Sequence, residues 1–176
     1  MIGTPLDVLP FVRGIQMVLT GYSGYTKEKR QEADKMVREE VIRATGRVRS
    51  HLENIHESAY RDSNIKVARA AKQAMEEADA LINDVEKAPA GLKHAFLSGQ
   101  RSIANSDLKK LIKHDHDVIE MVTKATNIAN SAEHEHANDG DEVIKLCRQT
   151  TQMLSSSRGF FGARATILKG LRRKEK

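Results

Sequence analysis

The chain of 176 residues contains one cysteine, three prolines and no tryptophan, and only 4% of its residues are aromatic. The single cysteine, Cys147, excludes an intramolecular disulfide framework and is typical of a reducing compartment. The shortage of large rings disfavours β-sandwiches and α/β folds, whose cores such rings commonly fill. Because Cys147 falls on an apolar helical stripe, we expect it to pack in the core and not to act as a nucleophile.

Long apolar runs are also missing. Residues 8–19, VLPFVRGIQMVL, are apolar, but Pro10 and Arg13 interrupt them and the stretch is too short to cross a bilayer. Asp7 stands where a signal peptide would carry positive charge. The sequence therefore predicts neither an export signal nor a membrane span, and it favours a cytoplasmic location.

The residues that are abundant favour helices. Alanine, glutamate, lysine and arginine are frequent, and all four have high helix propensity. From about residue 26, apolar or small side chains recur at steps of three and four, which places them on one face of a long helix. That face contains Val37, Val41, Ala44, Val48, Leu52, Ile55 and Ala59. The segment RDSN at 61–64 interrupts the pattern, and Asp62 or Ser63 is the predicted N-cap of the next helix.

The same spacing continues towards the C-terminus. It predicts a second long helix from residue 65 to KAPAG at 87–91, where proline stops it. A short helical piece at 92–102 follows, and Asn105 or Ser106 is the predicted N-cap of a third long helix. The fourth crosses SSSRGFFG without a change of phase. The predicted buried positions are Ile65, Ala68, Ala71, Met75, Ala78, Ile82 and Val85, then Leu108, Leu111, Ile112, Val118, Ile119, Val122, Ala125 and Ala129, and finally Val143, Cys147, Thr150, Leu154, Ser157, Phe161, Ala165 and Leu168.

These patterns predict an all-α fold, because the alternation of apolar and polar residues that marks a strand does not occur. We expect a single domain over residues 1–176, an elongated antiparallel bundle of about four long helices, since short connections favour antiparallel neighbours. A short amphipathic helix precedes the bundle within the apolar N-terminal segment, residues 1–24. A basic amphipathic end, residues 158–176, completes the bundle.

A charged residue lies on one of the apolar stripes. Asp115 falls between Ile112 and Val118 and is flanked by His114 and His116. A carboxylate at such a position usually marks a satisfied polar contact. The alternative is a pH-sensitive contact, because histidine titrates near neutrality. The sequence leaves both interpretations open.

Clusters of histidines and carboxylates suggest a metal site. Glu53 with His56, and Glu133 with His136, have the Glu-x-x-His spacing that holds metals in di-iron bundles. Glu53, however, flanks its apolar stripe, and the second pair lies at a helix end within EHEHANDGDE, residues 133–142. The sequence therefore predicts no metal ion and no cofactor. The four residues define the alternative function, a metal-binding four-helix bundle or a di-metal enzyme.

The positive charge of the chain is concentrated at the C-terminal end. From Arg158 onward there are seven basic residues and one acidic residue, a net charge of +6. On a helix, apolar side chains gather on one side of this segment and basic side chains cover the rest. We predict these as membrane- or partner-binding residues: Phe160, Phe161, Arg164, Ile167, Leu168, Lys169, Leu171, Arg172 and Arg173. The alternative is a core helix whose basic end complements the helix dipole.

No phosphate-binding glycine loop, nucleophile elbow or Cys–His pairing occurs in the sequence. We therefore expect a non-enzymatic protein that acts by association with a protein partner or with copies of itself. A peripheral anionic membrane surface is a further partner class, since both ends of the chain are rich in apolar residues. Nucleic acid fits less well, because residues 1–157 have a net charge of −1 and contain no groove-reading motif.

Overall fold

Four long helices and one short helix make up the part of the chain that the computed structural model describes. This part is residues 8–25, 29–88 and 105–173, without the side chains of 105–107 and 168–173. The helices are α1 (Leu9–Val18), α2 (Arg30–Arg61), α3 (Ile65–Lys87), α4 (Asn105–Glu135) and α5 (Gly140–Arg173). No strand occurs in these ranges, and the predicted all-α bundle is confirmed. The helical piece predicted at 92–102 lies outside the described residues.

The long helices form two hairpins, α2–α3 and α4–α5, which pack side by side. α2 contacts α3 and α4, and α5 contacts the same two helices. The Thr126 hydroxyl lies 3.4 Å from the Ala44 carbonyl, and seven residues further along both helices His51 Nδ1 lies 2.5 Å from Glu133 Oε2. Because both sequence numbers rise together, α2 and α4 run parallel. Consecutive long helices therefore run antiparallel, whereas neighbours from different hairpins run parallel.

The two hairpin turns, residues 62–64 and 136–139, lie against each other at one end of the bundle, which we call the hairpin end. A Cβ added to Gly140 would lie 3.3 Å from Asn64 Nδ2. Asn64 Oδ1 accepts a hydrogen bond from the backbone N–H of Val67 at 3.3 Å, so Asn64 is the N-cap of α3. The prediction of Asp62 or Ser63 was wrong, because Ser63 is in the left-handed conformation (φ 58°) that forms the turn itself.

The predicted core of α2 is confirmed, since all seven positions of its stripe are buried. In α3 the prediction was partly wrong, because Met75 and Ile82 are half-buried and Ile65 is 46% exposed. Ile65 is the first residue of α3 and lies beside the turn, where the core ends. The buried positions of α3 are Val67, Ala68, Ala71, Ala74, Ala78, Leu81 and Val85. Four alanines among them allow α3 to approach its neighbours closely.

The predicted stripes of α4 and α5 are also buried, except that Leu108 and Ala165 are half-buried. The side chain of Leu168 lies outside the described set. Cys147 is a free cysteine in the core, as its place on the stripe predicts. Burial raises the pKa of its thiol to about 11, so the nucleophilic thiolate is scarce at neutral pH.

The short helix α1 packs on α4. Its buried residues are Val12 and Ile15, and the residues of α4 in the same apolar cluster are Leu111, Ile112 and Ile119. Gly14 permits this approach, because a Cβ at that position would lie 2.6 Å from ring atoms of His116. One face of the described N-terminal apolar segment is therefore packed onto the bundle, whereas Met17 is 89% exposed. None of the described helices is long and apolar enough to cross a membrane.

Candidate functional site

Four side chains from separate segments meet inside the bundle, at the end opposite the hairpin end. Arg164 Nε donates to Asp115 Oδ1 at 2.8 Å, and Arg164 Nη1 lies 2.6 Å from Asp34 Oδ1. The Tyr25 hydroxyl donates to Asp115 Oδ2 and accepts from Arg164 Nη2 at 2.8 Å. All four residues are buried. We call this group the ion network.

The charges within the ion network stabilise one another. Burial by itself raises the pKa of Asp115, but the Arg164 charge and the hydrogen bonds that Asp115 accepts outweigh burial and hold its pKa below the ordinary value. Burial, followed by the Asp115 charge, raises the pKa of Tyr25 well above 10, so the hydroxyl keeps the proton that it donates. Burial disfavours the charged form of Arg164, yet the neighbouring carboxylate raises its pKa.

The side chains of the ion network satisfy one another and connect separate segments of the chain. Its side chains are buried and bind each other, so a substrate would have to displace one of them. Through Tyr25 it ties the segment that follows α1 to α2, α4 and α5. The sequence left two interpretations of Asp115 open. The hydrogen bonds that it accepts from Arg164 and Tyr25 are those of a satisfied polar contact. Beside it, His114 Nε2–H donates to the Phe160 carbonyl at 2.8 Å, and the two rings stack with centroids 4.5 Å apart.

The lowered pKa of Asp115 gives a prediction for acid unfolding. Because the pKa is lower in the folded than in the unfolded protein, the carboxylate adds stability above about pH 3.8. That contribution is lost as the pH falls from 3.8 towards the folded-state pKa. In urea unfolding measured from pH 7 to pH 2, we expect the wild type to exceed Asp115→Asn in stability by a constant amount until about pH 4. The difference then shrinks, whereas a difference that grows in acid would contradict this assignment.

Of the C-terminal residues predicted to bind a membrane or partner, some point into the bundle and others lie at its surface. Phe161 and Arg164 are 4% and 3% exposed and belong to the core and the ion network. Ile167 is half-buried and packs against the apolar cluster of α1 and α4, while Phe160 is 36% exposed. Phe161 and Arg164 therefore cannot form part of a free surface, because the bundle covers them. Residues with undescribed side chains are Leu168, Lys169, Leu171, Arg172 and Arg173.

The four candidate metal ligands have separate partners. Glu133 accepts hydrogen bonds from His51 Nδ1 at 2.5 Å and from Asn54 Nδ2 at 2.7 Å. Glu53 pairs with an arginine one turn earlier in α2, and His56 stacks on the Tyr60 ring. His136 lies in the turn after α4, where its buried Nδ1 has no hydrogen bond. The structure does not bring these four together as one ligand set.

A different trio of metal-ligand types does meet in α4. Among the residues that the structure describes, His116, Asp117 and Glu120 alone place ligand atoms within 4.8 Å of one another. Glu120 is exposed and already paired with Lys124 at 2.8 Å, and the ring of His116 packs edge-on against Phe11. The sequence signal was the His-x-x-x-Glu spacing within one helix, which also occurs in many solvated helical faces. The positions of His116 and Glu120 are therefore accounted for by their contacts with Phe11 and Lys124, without a metal ion.

No protein-family model, curated protein or solved structure matches the chain. Helical bundles serve unrelated functions. The functional interpretation therefore depends on the chemistry of the protein's own surface.

At the hairpin end, large apolar side chains and unpaired cations occur together. Tyr60 and Ile65, which flank the turn, are 69% and 46% exposed. Tyr60 also stacks on His56, with 6.3 Å between ring centroids, and this extends the aromatic surface. The exposed cations are Arg61, Lys66, Arg69 and Lys72, and none of them forms an ion pair with a described residue. This combination is typical of contact surfaces.

Sequence reasoning missed this surface. It assigned Ile65 to the core and did not consider Tyr60, because helical periodicity does not show where neighbouring helices end. The sequence feature that could have indicated this surface is the RDSN turn at 61–64, because it places Tyr60 and Ile65 at helix termini. Apolar side chains on either side of a turn are the ones that a bundle is least able to cover.

Proposed function

We propose that this protein acts by association with further copies of itself and not by catalysis, and that the hairpin end is the contact surface. The observation that carries the proposal is the exposure of Tyr60 and Ile65 beside a group of cations that form no ion pair with a described residue. The other exposed large apolar residues, Met17, Val18 and Phe160, lie away from the hairpin end. The ion network supports it indirectly, because its four side chains are buried and bound to each other.

Simple energetics favour a symmetric contact at this end. Full burial of one Ile side chain contributes roughly 1.5–3 kcal/mol. In a two-fold dimer each residue contributes twice, once from each copy. Tyr60 adds a large, rigid ring that is enriched in interfaces. Two such residues per copy supply the apolar part of the contact. Because association costs about 4–15 kcal/mol in lost translational and rotational freedom, the surrounding charges must contribute as well.

We place this association in the cytoplasm, since the one cysteine is a buried free thiol of the kind that a reducing compartment preserves. A protein partner or an anionic membrane would use the same exposed residues. Wild-type protein that stays monomeric but floats with anionic vesicles, and loses flotation in Ile65→Asp, would assign the hairpin end to a membrane instead.

Replacing Ile65 with aspartate is expected to abolish self-association. Wild-type protein should sediment as a dimer as its concentration increases from micromolar to hundreds of micromolar, whereas Ile65→Asp should remain a monomer, because burying the carboxylate is costly. The measurement is sedimentation velocity with circular dichroism of each variant. The matched control is Met17→Asp, which places the same charge on α1 at a residue that is 89% exposed.

Met17→Asp should dimerise like the wild type. A wild-type chain that stays monomeric throughout the series would refute self-association. Equal dissociation of both variants would show that the added charge, and not the hairpin end, is responsible.

A further inference from the structure

We infer that the second copy docks head to head on the hairpin end, with the basic face of one copy against the acidic turn of the other. The inference rests on the proposed self-association and specifies its geometry. The basic face is Arg61, Lys66, Arg69 and Lys72, and the acidic turn is Glu135, Asp139 and Asp141. Under a two-fold axis this contact is made twice.

The basic face differs from the other charged surfaces of the bundle. Lys66, Arg69 and Lys72 recur every three residues, so they lie on one side of α3, and all are exposed. Some exposed cations elsewhere are paired within the chain, as between Lys35 and Glu39 or between Lys145 and Glu142. Others, such as Lys113 and Arg148, have no ion pair with a described residue. The basic face is distinguished by four cations within residues 61–72 that have no such partner among the described residues. Three exposed acidic residues, Glu57, Asp62 and Glu76, border the four cations and leave the face net positive.

The acidic turn lies beside the basic face. Gly140, which lies between Asp139 and Asp141 at the start of α5, approaches Asn64 and Val67 at the start of α3. No lysine or arginine occurs between Lys124 and Lys145, and the three carboxylates of the turn are exposed. Asp139 Oδ1 accepts hydrogen bonds from the backbone N–H groups of Asp141 and Glu142, at 2.9 and 3.2 Å, which fixes the shape of the turn. The hairpin end therefore carries opposite charges next to each other on a defined frame.

This charge pattern selects a second copy over a polyanion. A phosphate-rich membrane or nucleic acid would be attracted by the basic face and repelled by the acidic turn beside it. A second copy rotated by 180° places each patch opposite its complement, as an isologous interface requires. Tyr60 and Ile65 are the sequence neighbours of Arg61 and Lys66. In the proposed dimer they supply the apolar centre, with the charges as its rim.

Complementary charge reversal tests the inference. The first variant combines Arg69→Glu with Lys72→Glu, and the second combines Glu135→Lys with Asp141→Lys. Each variant alone should show at least a tenfold higher dissociation constant, because like charges face each other twice in its homodimer. An equimolar mixture should restore dimers close to wild-type affinity, since every charged contact in the heterodimer is attractive. Sedimentation velocity with one variant fluorescently labelled distinguishes the heterodimer.

A matched control carries the same change in net charge on another surface. Lys35→Glu with Lys124→Glu should dimerise like the wild type, because both lysines lie in exposed pairs away from the hairpin end. The wild-type dissociation constant should also rise severalfold from low to high salt, as expected for a charged rim. If Ile65→Asp dissociates the dimer but the mixture is not rescued and salt has no effect, self-association stands and the head-to-head charge pairing is overturned.

Discussion

Replacing Arg164 with methionine is expected to lower the free energy of unfolding by about 3–5 kcal/mol. The substitution keeps a long side chain that can fill the space but removes the only guanidinium that reaches both Asp115 and Asp34 within the described ion network. Two carboxylates then lie in the core without a counter-charge, and the Tyr25 hydroxyl loses a donor. An uncompensated buried charge is costly because the interior solvates it poorly.

Urea unfolding at neutral pH measures this loss, with Arg158→Met as the matched control. Arg158 is on the same helix and pairs with Asp84 at 2.6 Å and Glu77 at 3.2 Å, but it lies at the surface. Exposed ion pairs contribute about 0–1 kcal/mol, so the control should lose little. If both variants lost the same small amount of unfolding free energy, the charges of the ion network would not be desolvated as their burial indicates.

Replacing Phe161 with alanine is expected to cost about 3–5 kcal/mol of stability, because a buried aromatic side chain leaves a cavity. Phe161 is 4% exposed and packs in the main core, with the Arg164 guanidinium 5.9 Å from its ring centroid. The neighbouring Phe160 supplies the matched control. Its ring is 36% exposed and stacks on His114, so Phe160→Ala should cost about 1 kcal/mol.

Thermal and urea unfolding of these two variants separate the core interpretation of the C-terminal end from the binding interpretation. If Phe161 belonged to a binding surface, alanine would leave stability unchanged and reduce association instead. We expect the opposite, with dimerisation of the folded Phe161→Ala protein unchanged, because Phe161 is at the other end of α5 from the acidic turn.

The sequence was sufficient to predict the helices and most of their buried faces. In α2 every position of the predicted stripe is buried. This face could be predicted because the helical period of 3.6 residues relates only residues three and four apart along the chain. Cys147 was predicted correctly for the same reason. The error at Ile65 has a local cause as well, since the first residue of a helix follows the period but lies where the core ends.

The pairing of polar residues was decided by the tertiary structure alone. Sequence showed that Asp115 lies on an apolar stripe, but its partners, Tyr25 and Arg164, are 90 and 49 positions away. Likewise the two Glu-x-x-His pairs were visible, yet Glu133 binds His51 and not a metal-ligand set. Periodicity determines which face of each helix is buried. Which helices become neighbours, and at what height their side chains meet, depends on how the two hairpins pack, and that packing assembles the ion network and leaves Tyr60 and Ile65 exposed.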